Sequence, residues 1–243
     1  MLAYVWERYQ TNVVAVERDR HLLTLAWHFL GDKEKPQAIG LDDFPRYKEE
    51  PFNDFDLADK AQALLTEADV VCGHNAIEFD IKILQGRMLE HSLAPPSPFQ
   101  TVDTLKVVRS KFGFTSNKLG DLCRQLDVGV KADTGGIGTW LGCLHGDPKA
   151  WTTMKRYNIQ DVAITEKLYG MVSPWSPKSG TPNLATLTGE RKACPRCAST
   201  LGMVVRGYAF TGVTKFVRYQ CSACGGYSRS RVGTRMEPNY VPA

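Results

Sequence analysis

The stretch Tyr157-Asn158-Ile159-Gln160-Asp161 decides how the rest of this sequence is interpreted. It lies inside an apolar-periodic run from Trp151 to Tyr169, which predicts an amphipathic helix. Positions four apart on a helix share one face, so Tyr157 and Asp161 present a phenol and a carboxylate side by side. A lone Tyr and Asp at this spacing is most often an interfacial aromatic beside a solvated acid. The pattern therefore gains meaning only from acidic segments elsewhere in the chain.

A second acidic segment follows the short apolar strand predicted over Asp69–Cys72. The strand leads into Gly73–Asp80, which carries Asn75, Phe79 and Asp80, and Asp103 follows later in Val102–Leu105. Phosphodiester hydrolysis by two divalent ions requires a clamp of acids, because the ions lie roughly 3.5 to 4 Å apart around the scissile group. Mg²⁺ and Mn²⁺ prefer carboxylate oxygens, so Asp is the expected ligand.

Residues 2 to 169 resemble the ribonuclease-H-like DEDD exonuclease superfamily, tyrosine subclass, and in particular the stand-alone exonucleases of bacteriophages. The resemblance covers about two thirds of the chain. It implies an α/β fold, a ribonuclease-H-like mixed sheet of five strands flanked by helices, and a 3′-5′ exonuclease that uses two Mg²⁺ or Mn²⁺ ions. Besides the two acidic segments, four strings are similar to the family: Pro95–Phe99, Val102–Lys106, Thr115–Leu119 and Gly146–Trp151.

Matched position by position, the resemblance assigns a role to six residues of this sequence. Asp80 and Asp161 are implied as metal ligands, and Tyr157 as the phenol that orients the attacking water. The remaining three are implied to hold the substrate and support the site: Asn75 and Phe79 at the terminal nucleotide, and Asp103 behind them.

The first acidic motif of the family is an Asp-x-Glu that ends the opening strand and supplies two of four metal-binding carboxylates. This sequence begins after the place where that motif belongs, since Leu2–Trp6 is similar to the segment that normally follows it. Three explanations remain open. The acids are encoded upstream; or the chain is a catalytically inactive relative that still binds nucleic acid; or Leu2–Trp6 occupies the vacant strand position, with Glu7 as a substitute ligand.

Two pairs of cysteines near the other end of the chain predict a metal site. Cys194 and Cys197 form one C-x-x-C pair, Cys221 and Cys224 form the second, and 23 residues separate the pairs. This spacing is typical of a structural Zn²⁺ held by four thiolates. Two short strands, Leu201–Val205 and Lys215–Tyr219, are expected around a loop at Gly207–Gly212, which makes this segment a zinc ribbon. Disulfide or redox pairs are the alternatives.

Charge separates the two ends of the chain. Residues 191–243 carry nine Lys or Arg against one acid, whereas residues 1–190 carry 21 against 25, so a net charge of +4 conceals a basic C-terminal segment. Its cations alternate with aromatics, which suits phosphate contacts and base stacking on single-stranded DNA or 3′ ends. A solvated strand face is the simpler alternative, and docking to replication proteins is a third.

Composition and the positions of Pro-, Ser- and Gly-rich segments predict the domain organisation. A chain of 243 residues with 43% apolar content permits one large core and a small appendage. We expect an exonuclease-like domain over 1–172, a Pro- and Ser-rich linker over 173–190, the ribbon over 191–232 and a tail over 233–243. Cys72, Cys123 and Cys143 are expected to be reduced core residues. No apolar run approaches the roughly 18 residues of a membrane span. The absence of a secretory signal favours the cytoplasm, that of the host if a phage encodes the protein.

Overall fold

The computed structural model describes residues 2–7, 10–129, 135–176 and 182–237, with only the backbone of 2–7, 10–14, 17 and 18. An α/β body extends to Trp175, and a β-rich unit follows it. The strands of the body are β1 (Leu2–Glu7), β2 (Gln10–Arg18), β3 (Thr24–Trp27), β4 (Gln37–Gly40), β5 (Val70–Gly73) and β6 (Gln100–Asp103). Its helices are α1 (Phe55–Glu67), α2 (Asp80–Glu90), α3 (Thr104–Lys111), α4 (Leu119–Gln125), α5 (Ile137–Leu144) and α6 (Pro148–Val172), with 3₁₀ turns at Leu41–Asp43, Pro45–Lys48 and Ser173–Trp175.

The strands of the body form three separate pairs. β3 and β4 are antiparallel, β5 and β6 are parallel, and β1 and β2 form an antiparallel hairpin. The expected five-stranded mixed sheet is therefore wrong for the residues that the structure describes. The Glu7 explanation also finds no support there, because Leu2–Glu7 pairs with Gln10–Arg18 and does not join β3 or β5.

The pairs β3–β4 and β5–β6 nevertheless pack against the same helices, and we call them together the strand layer. Leu25 of β3 and Val71 of β5 pack against the same buried cluster, which α1 and α2 supply. Helix α6 also contacts both β3 and β5. Leu25 packs in addition against the cluster that contains Trp151 and Met154 of α6, and Thr24 accepts a hydrogen bond from Asn158 of the same helix. In the described residues no strand pairing joins β3 to β5, so the layer is divided between these two strands.

The exposure of Cys72 departs from what a parallel strand predicts. Parallel strands are normally covered on both faces and read as buried apolar runs. Cys123 and Cys143 are buried as expected, whereas Cys72 of β5 is exposed, so the prediction that all three lone cysteines lie in the core is wrong for Cys72.

Helix α6 is the central packing element of the body. It begins at Pro148, and the Asp147 side chain caps it by accepting the N–H of Lys149 at 2.9 Å, as the Asp-Pro start predicts. Its buried face packs along its whole length, first against Leu41 and Leu57 and later against α3 and α4. Lys118 precedes the first residue of α4, and Ser116 donates to Asp121.

The C-terminal unit, called here the ribbon unit (residues 191–237), is a small antiparallel sheet. Its central strand β8 (Thr214–Cys221) pairs with β7 (Met203–Thr211), β9 (Tyr227–Arg229) and β10 (Thr234–Arg235). The predicted loop at Gly207–Gly212 is wrong for most of its length, because β7 continues through it to a tight turn at Gly212. The register shifts between Val205 and Tyr208, where Gly207 has φ +79°. A bulge thus occupies the place of the predicted loop.

Within the predicted linker, Ser173–Trp175 continues α6 as a 3₁₀ turn, and Leu184–Leu187 forms a short helix, α7. Ser173 and Ser176 are buried. Residues 177–181 lie outside the described part of the chain, as do 130–134, which include Thr134 of a glycine-rich segment.

Candidate active-site turn and cysteine centre

The turn between β5 and α2 is organised around the carboxylate of Asp103. This side chain is buried and accepts three backbone N–H groups: Asn75 at 2.9 Å, Ile77 at 3.2 Å and Leu105 at 3.0 Å. The last of these bonds makes Asp103 the cap of α3. Because β5 and β6 are parallel, Gly73 and Asp103 stand opposite each other at the same end of the pair. One carboxylate therefore fixes both the turn and the helix that leave this edge.

The backbone of the turn is compact and allows few substitutions. A Cβ at Gly73 would lie 2.6 Å from that of Ala76, and Asn75 adopts a left-handed conformation with φ +69°, which Asn tolerates better than most residues. The imidazole of His74 contacts the Thr104 hydroxyl through Nδ1 and the Asn117 carbonyl through Nε2, each at 2.9 Å. These bonds give His74 a structural role.

Phe79 and Asp80 stand where this turn enters α2, and both are open to solvent. Phe79 is about half exposed, and its N–H donates to the carbonyl of Asn75 at 3.0 Å. Asp80 is accessible to water, but other protein atoms crowd its carboxylate. This crowding raises the pKa of Asp80, its own N–H opposes the rise, and the negative charge of Asp103 adds to it. A cation bound at Asp80 would relieve this repulsion.

Tyr157 and Asp161 lie four residues apart in the middle of α6, and both are half-buried. Their neighbour Asn158 bonds to Thr24 of β3, so this part of α6 lies beneath the layer of strands. The structure thus places the six residues in three contexts: Asn75, Phe79 and Asp80 on the turn, Asp103 at the end of β6, and Tyr157 and Asp161 on α6.

The acids do not form a complete divalent-ion clamp in the part of the chain that the structure describes. There, the only group of three or more potential metal ligands whose donor atoms approach one another is the set of four cysteines. Asp80 and Asp161 are only two carboxylates, and a two-ion site requires more. The described residues therefore do not fit a pair of catalytic ions by themselves, and we derive no catalytic step through such ions.

The four cysteines form a centre with the dimensions of a tetrahedral thiolate site. The four Sγ atoms lie within 4.8 Å of one another, and the pairs Cys194–Cys224 and Cys197–Cys221 are each 3.9 Å apart. A disulfide would bring its sulfurs to about 2.05 Å. Four sulfurs at about 2.3 Å from a central ion would be roughly 3.8 Å apart, which the observed separation matches. Disulfides are thus excluded by the observed geometry, and the four residues fit one tetrahedral ion.

Backbone N–H groups point at the sulfurs, as a thiolate requires. Arg196 donates to Cys194 and Ala223 to Cys221, each at 3.4 Å. Burial raises the pKa of Cys221, but the N–H groups of Cys224 and Ala223 outweigh it and bring the pKa to about 7. Burial and the neighbouring thiols raise the pKa of Cys197 to about 12. Four thiols this close resist ionising together, and a dication removes that obstacle.

Sequence reasoning missed a buried ionic network between α1 and α2. Asp54 is fully buried and accepts Arg87 Nε at 2.8 Å, Arg87 Nη2 at 2.7 Å, His91 at 2.6 Å and the N–H of Leu22 at 2.7 Å. The partners are 32 to 37 residues from Asp54 in sequence, beyond any helical or strand period. The acid itself was the only available signal in the sequence, and it indicates a helix cap as readily as a network.

The helices packed on strands that include a parallel pair make the body an α/β domain, with acids at the end of that pair. A model described as RNase_H superfamily matches residues 17–173, more than half of the chain, and the chain belongs to that superfamily. This membership indicates a nuclease-type function that acts on nucleic acid, in a superfamily whose nucleases generally use divalent metals. The comparison with curated proteins finds no match. None of the helices in the described residues has the length and apolar character to cross a membrane.

Proposed function

We propose that this protein is a 3′-5′ exonuclease-like member of the superfamily that engages the 3′ ends of nucleic acids, with single-stranded DNA as the favoured substrate. The observation that supports this most directly is the turn held by Asp103, which leaves Phe79 and Asp80 exposed at the start of α2. Phe79 offers a ring to the terminal base, and Asn75 offers an amide at the same turn.

In this proposal Asp80 and Asp161 hold Mg²⁺ or Mn²⁺, and Tyr157 positions the attacking water. The ions would supply charge neutralisation at the phosphate and a water of lowered pKa. The sequence evidence for these roles is the order of the acidic segments along one chain, and the spacing of Tyr157 and Asp161 on one helical face supports it. Hydrolysis requires further carboxylates to join Asp80 and Asp161.

A second candidate function is a catalytically inactive relative that binds nucleic acid. Two observations favour it: the described residues gather no group of three acids, and the strand layer is divided between β3 and β5. In this case the turn and the ribbon unit bind nucleic acid and no bond is broken.

Digestion of a 3′-labelled single-stranded oligonucleotide with Mg²⁺ or Mn²⁺ separates the two functions. The active form shortens the label stepwise, whereas the Asp161→Ala variant does not. Asp59→Ala, which alters an exposed acid on helix α1, is the matched control. Digestion that survives Asp161→Ala excludes the proposed site. An intact label with wild-type protein that still binds the oligonucleotide supports the inactive relative. Repeating the assay with a chain extended by any in-frame upstream codons tests whether missing acids restore the activity.

We further propose that the cysteine centre binds one structural Zn²⁺ and that the ribbon unit tethers the protein to nucleic acid. The N–H groups that point at the sulfurs and the 3.9 Å separations support Zn²⁺ as the ion. The ribbon unit is short of buried apolar residues, so the ion would contribute much of its folding free energy. Docking to a replication protein is the alternative use of this unit. A cytoplasmic site, in the host of a phage, is the location that suits these functions.

A further inference from the structure

One face of the ribbon sheet gathers exposed aromatic and apolar side chains. Val205, Tyr208 and Phe210 of β7 stand opposite Tyr219, Val217 and Lys215 of β8. The three β8 residues alternate along their strand and so share one face. Between Val205 and Tyr208 the bulge places two residues of β7 opposite one residue of β8. All three β7 residues therefore lie on that same face. We call Val205, Tyr208, Phe210 and Lys215 the outer face of the ribbon.

The opposite face of this sheet is covered by the protein itself around Phe216. Phe216 is buried there, with the Arg229 guanidinium 3.6 Å from the centre of its ring. Gly233 lies so close that a Cβ would come within 2.6 Å of Phe216. In contrast, Phe210 is 65% exposed, Tyr208 50% and Val205 57%. The core of the ribbon unit thus accounts for Phe216 and leaves the outer face open.

Positive charge accompanies these rings. The Lys215 ammonium lies 3.7 Å from the centre of the Tyr208 ring. Residues 191–237 contain nine Lys or Arg and one acid, so an anion is the complementary partner for this unit. Rings two residues apart on a strand are about 6.7 Å apart, and sheets that carry exposed aromatics stack the bases of single strands in this way.

We infer that the outer face of the ribbon binds single-stranded nucleic acid by stacking bases on Phe210 and Tyr208 while Lys215 contacts the phosphates. The inference rests on the proposed function in one respect, that the partner is nucleic acid, and adds to it the surface and the side chains that bind the bases. A duplex keeps its bases inside and offers no ring faces along its length, so the face discriminates against it. An added strand from a protein is the competing occupant, since β7 pairs only with β8 in the described residues. Two like-charged ribbon units would repel each other at that edge.

Fluorescence anisotropy without added divalent ions tests the inference, because hydrolysis then plays no part. The probes are an oligodeoxythymidylate of about 20 nucleotides, a blunt duplex of the same length and an abasic strand with the same number of phosphates. We expect Phe210→Ala to weaken binding of the oligodeoxythymidylate roughly 5- to 150-fold and to leave the duplex and the abasic strand unchanged. Tyr208→Phe retains binding, because stacking needs the ring. Lys215→Ala weakens all three and lowers the salt slope by about 1.

Val232→Ala is the matched control, since this apolar residue of the same unit is also highly exposed and lies outside the outer face. The zinc content of each variant shows whether the ribbon unit is folded. Equal loss on single strand and duplex, or no loss with Phe210→Ala, overturns the stacking face. Wild-type protein that binds none of the probes overturns the nucleic-acid partner altogether. If Phe210→Ala converts a dimer into monomers without changing the affinity for the oligonucleotide, the edge of β7 binds a second copy of this chain. Specific loss of single-strand binding without any nuclease activity supports the stacking face and contradicts only the exonuclease proposal.

Discussion

Arg196 Nη1 donates a hydrogen bond of 2.7 Å to the carbonyl oxygen of Ser176, which joins the cysteine centre to the end of α6. The same nitrogen donates to the carbonyl of Ser173 at 3.2 Å, and Nε donates to that of Tyr227 at 3.1 Å. The last carbonyls of a helix and of the turn after it need donors, and a cation suits that end of the helix dipole. Arg196 belongs to the first cysteine pair, so the position of the ribbon unit depends on the knuckle that the ion would hold.

Arg196→Ala should loosen this junction without emptying the cysteine centre. The loss of three bonds from a charged donor is expected to lower the free energy of unfolding by about 1 to 3 kcal/mol. Hydrogen exchange at the Ser176 amide, which bonds to Ser173 at 3.1 Å, should become faster while the zinc content stays at one per chain. Arg191→Ala changes an exposed arginine of the same unit and should do neither. Unchanged exchange in Arg196→Ala would show that other contacts fix the junction.

Removing the metal should unfold the ribbon unit and leave the α/β body folded. Because its buried core is small, the proposed Zn²⁺ would be the main source of its stability, so a strong chelator or Cys197→Ser should abolish amide protection across β7 and β8. Far-ultraviolet circular dichroism should keep the helical signal of the body. Cys72→Ser is the control, because Cys72 is a lone cysteine outside the centre. Full protection of β7 and β8 in Cys197→Ser would contradict a structural ion.

Asp54 should make stability depend on pH in the acid range. Burial raises the pKa of Asp54, but its hydrogen bonds from Arg87 and His91 outweigh this and lower the pKa below its usual range. A lowered folded-state pKa means that the contribution is present above the unfolded-state pKa of about 3.9 and is lost as pH falls through the folded value. Urea unfolding from neutral pH downward should show this loss in wild type and not in Asp54→Asn.

At neutral pH Asp54→Asn should cost about 3 to 5 kcal/mol, because it leaves the mostly buried Arg87 without its buried charge partner. Glu90→Gln alters the other acid bonded to Arg87, but Glu90 is mostly exposed. We therefore expect at most about 1 kcal/mol from it. Equal effects of the two substitutions would show that burial of Asp54 contributes nothing.

Asp103→Asn should disturb the candidate active-site turn before any chemistry is considered. The amide has one acceptor oxygen, so the N–H of Ile77 or those of Asn75 and Leu105 lose their partner, at a cost of about 1 to 3 kcal/mol. Amide exchange at Ile77 and the thermal midpoint should report it. Asp69→Asn, at the exposed entry to β5, is the control and should be neutral. If amide exchange at the turn is unchanged in Asp103→Asn, the contacts of His74 hold the turn and Asp103 does not.

Local patterns made several features of the site predictable. The start of α6 at Pro148 depends on a cap made within two residues, and Tyr157 and Asp161 share a face because the helical period places them there. The knuckles around Cys194 and Cys221 are likewise formed by neighbouring N–H groups. In contrast, the loop expected at Gly207–Gly212 became a bulged strand, because pairing with β8 outweighs the turn preference of its glycines.

The sequence by itself indicated the class of fold, through the family resemblance of residues 2 to 169, and identified the four cysteines that gather in one centre. The cysteine pairs could be predicted because each pair depends on interactions over a few residues, whose geometry the spacing specifies. Only the tertiary structure decided that the strand layer is divided between β3 and β5, that Asp54 meets Arg87 and that Arg196 joins the ribbon unit to α6. Such contacts form between segments far apart in the chain, where hydrogen-bond partners and burial are set by packing and no local period records them.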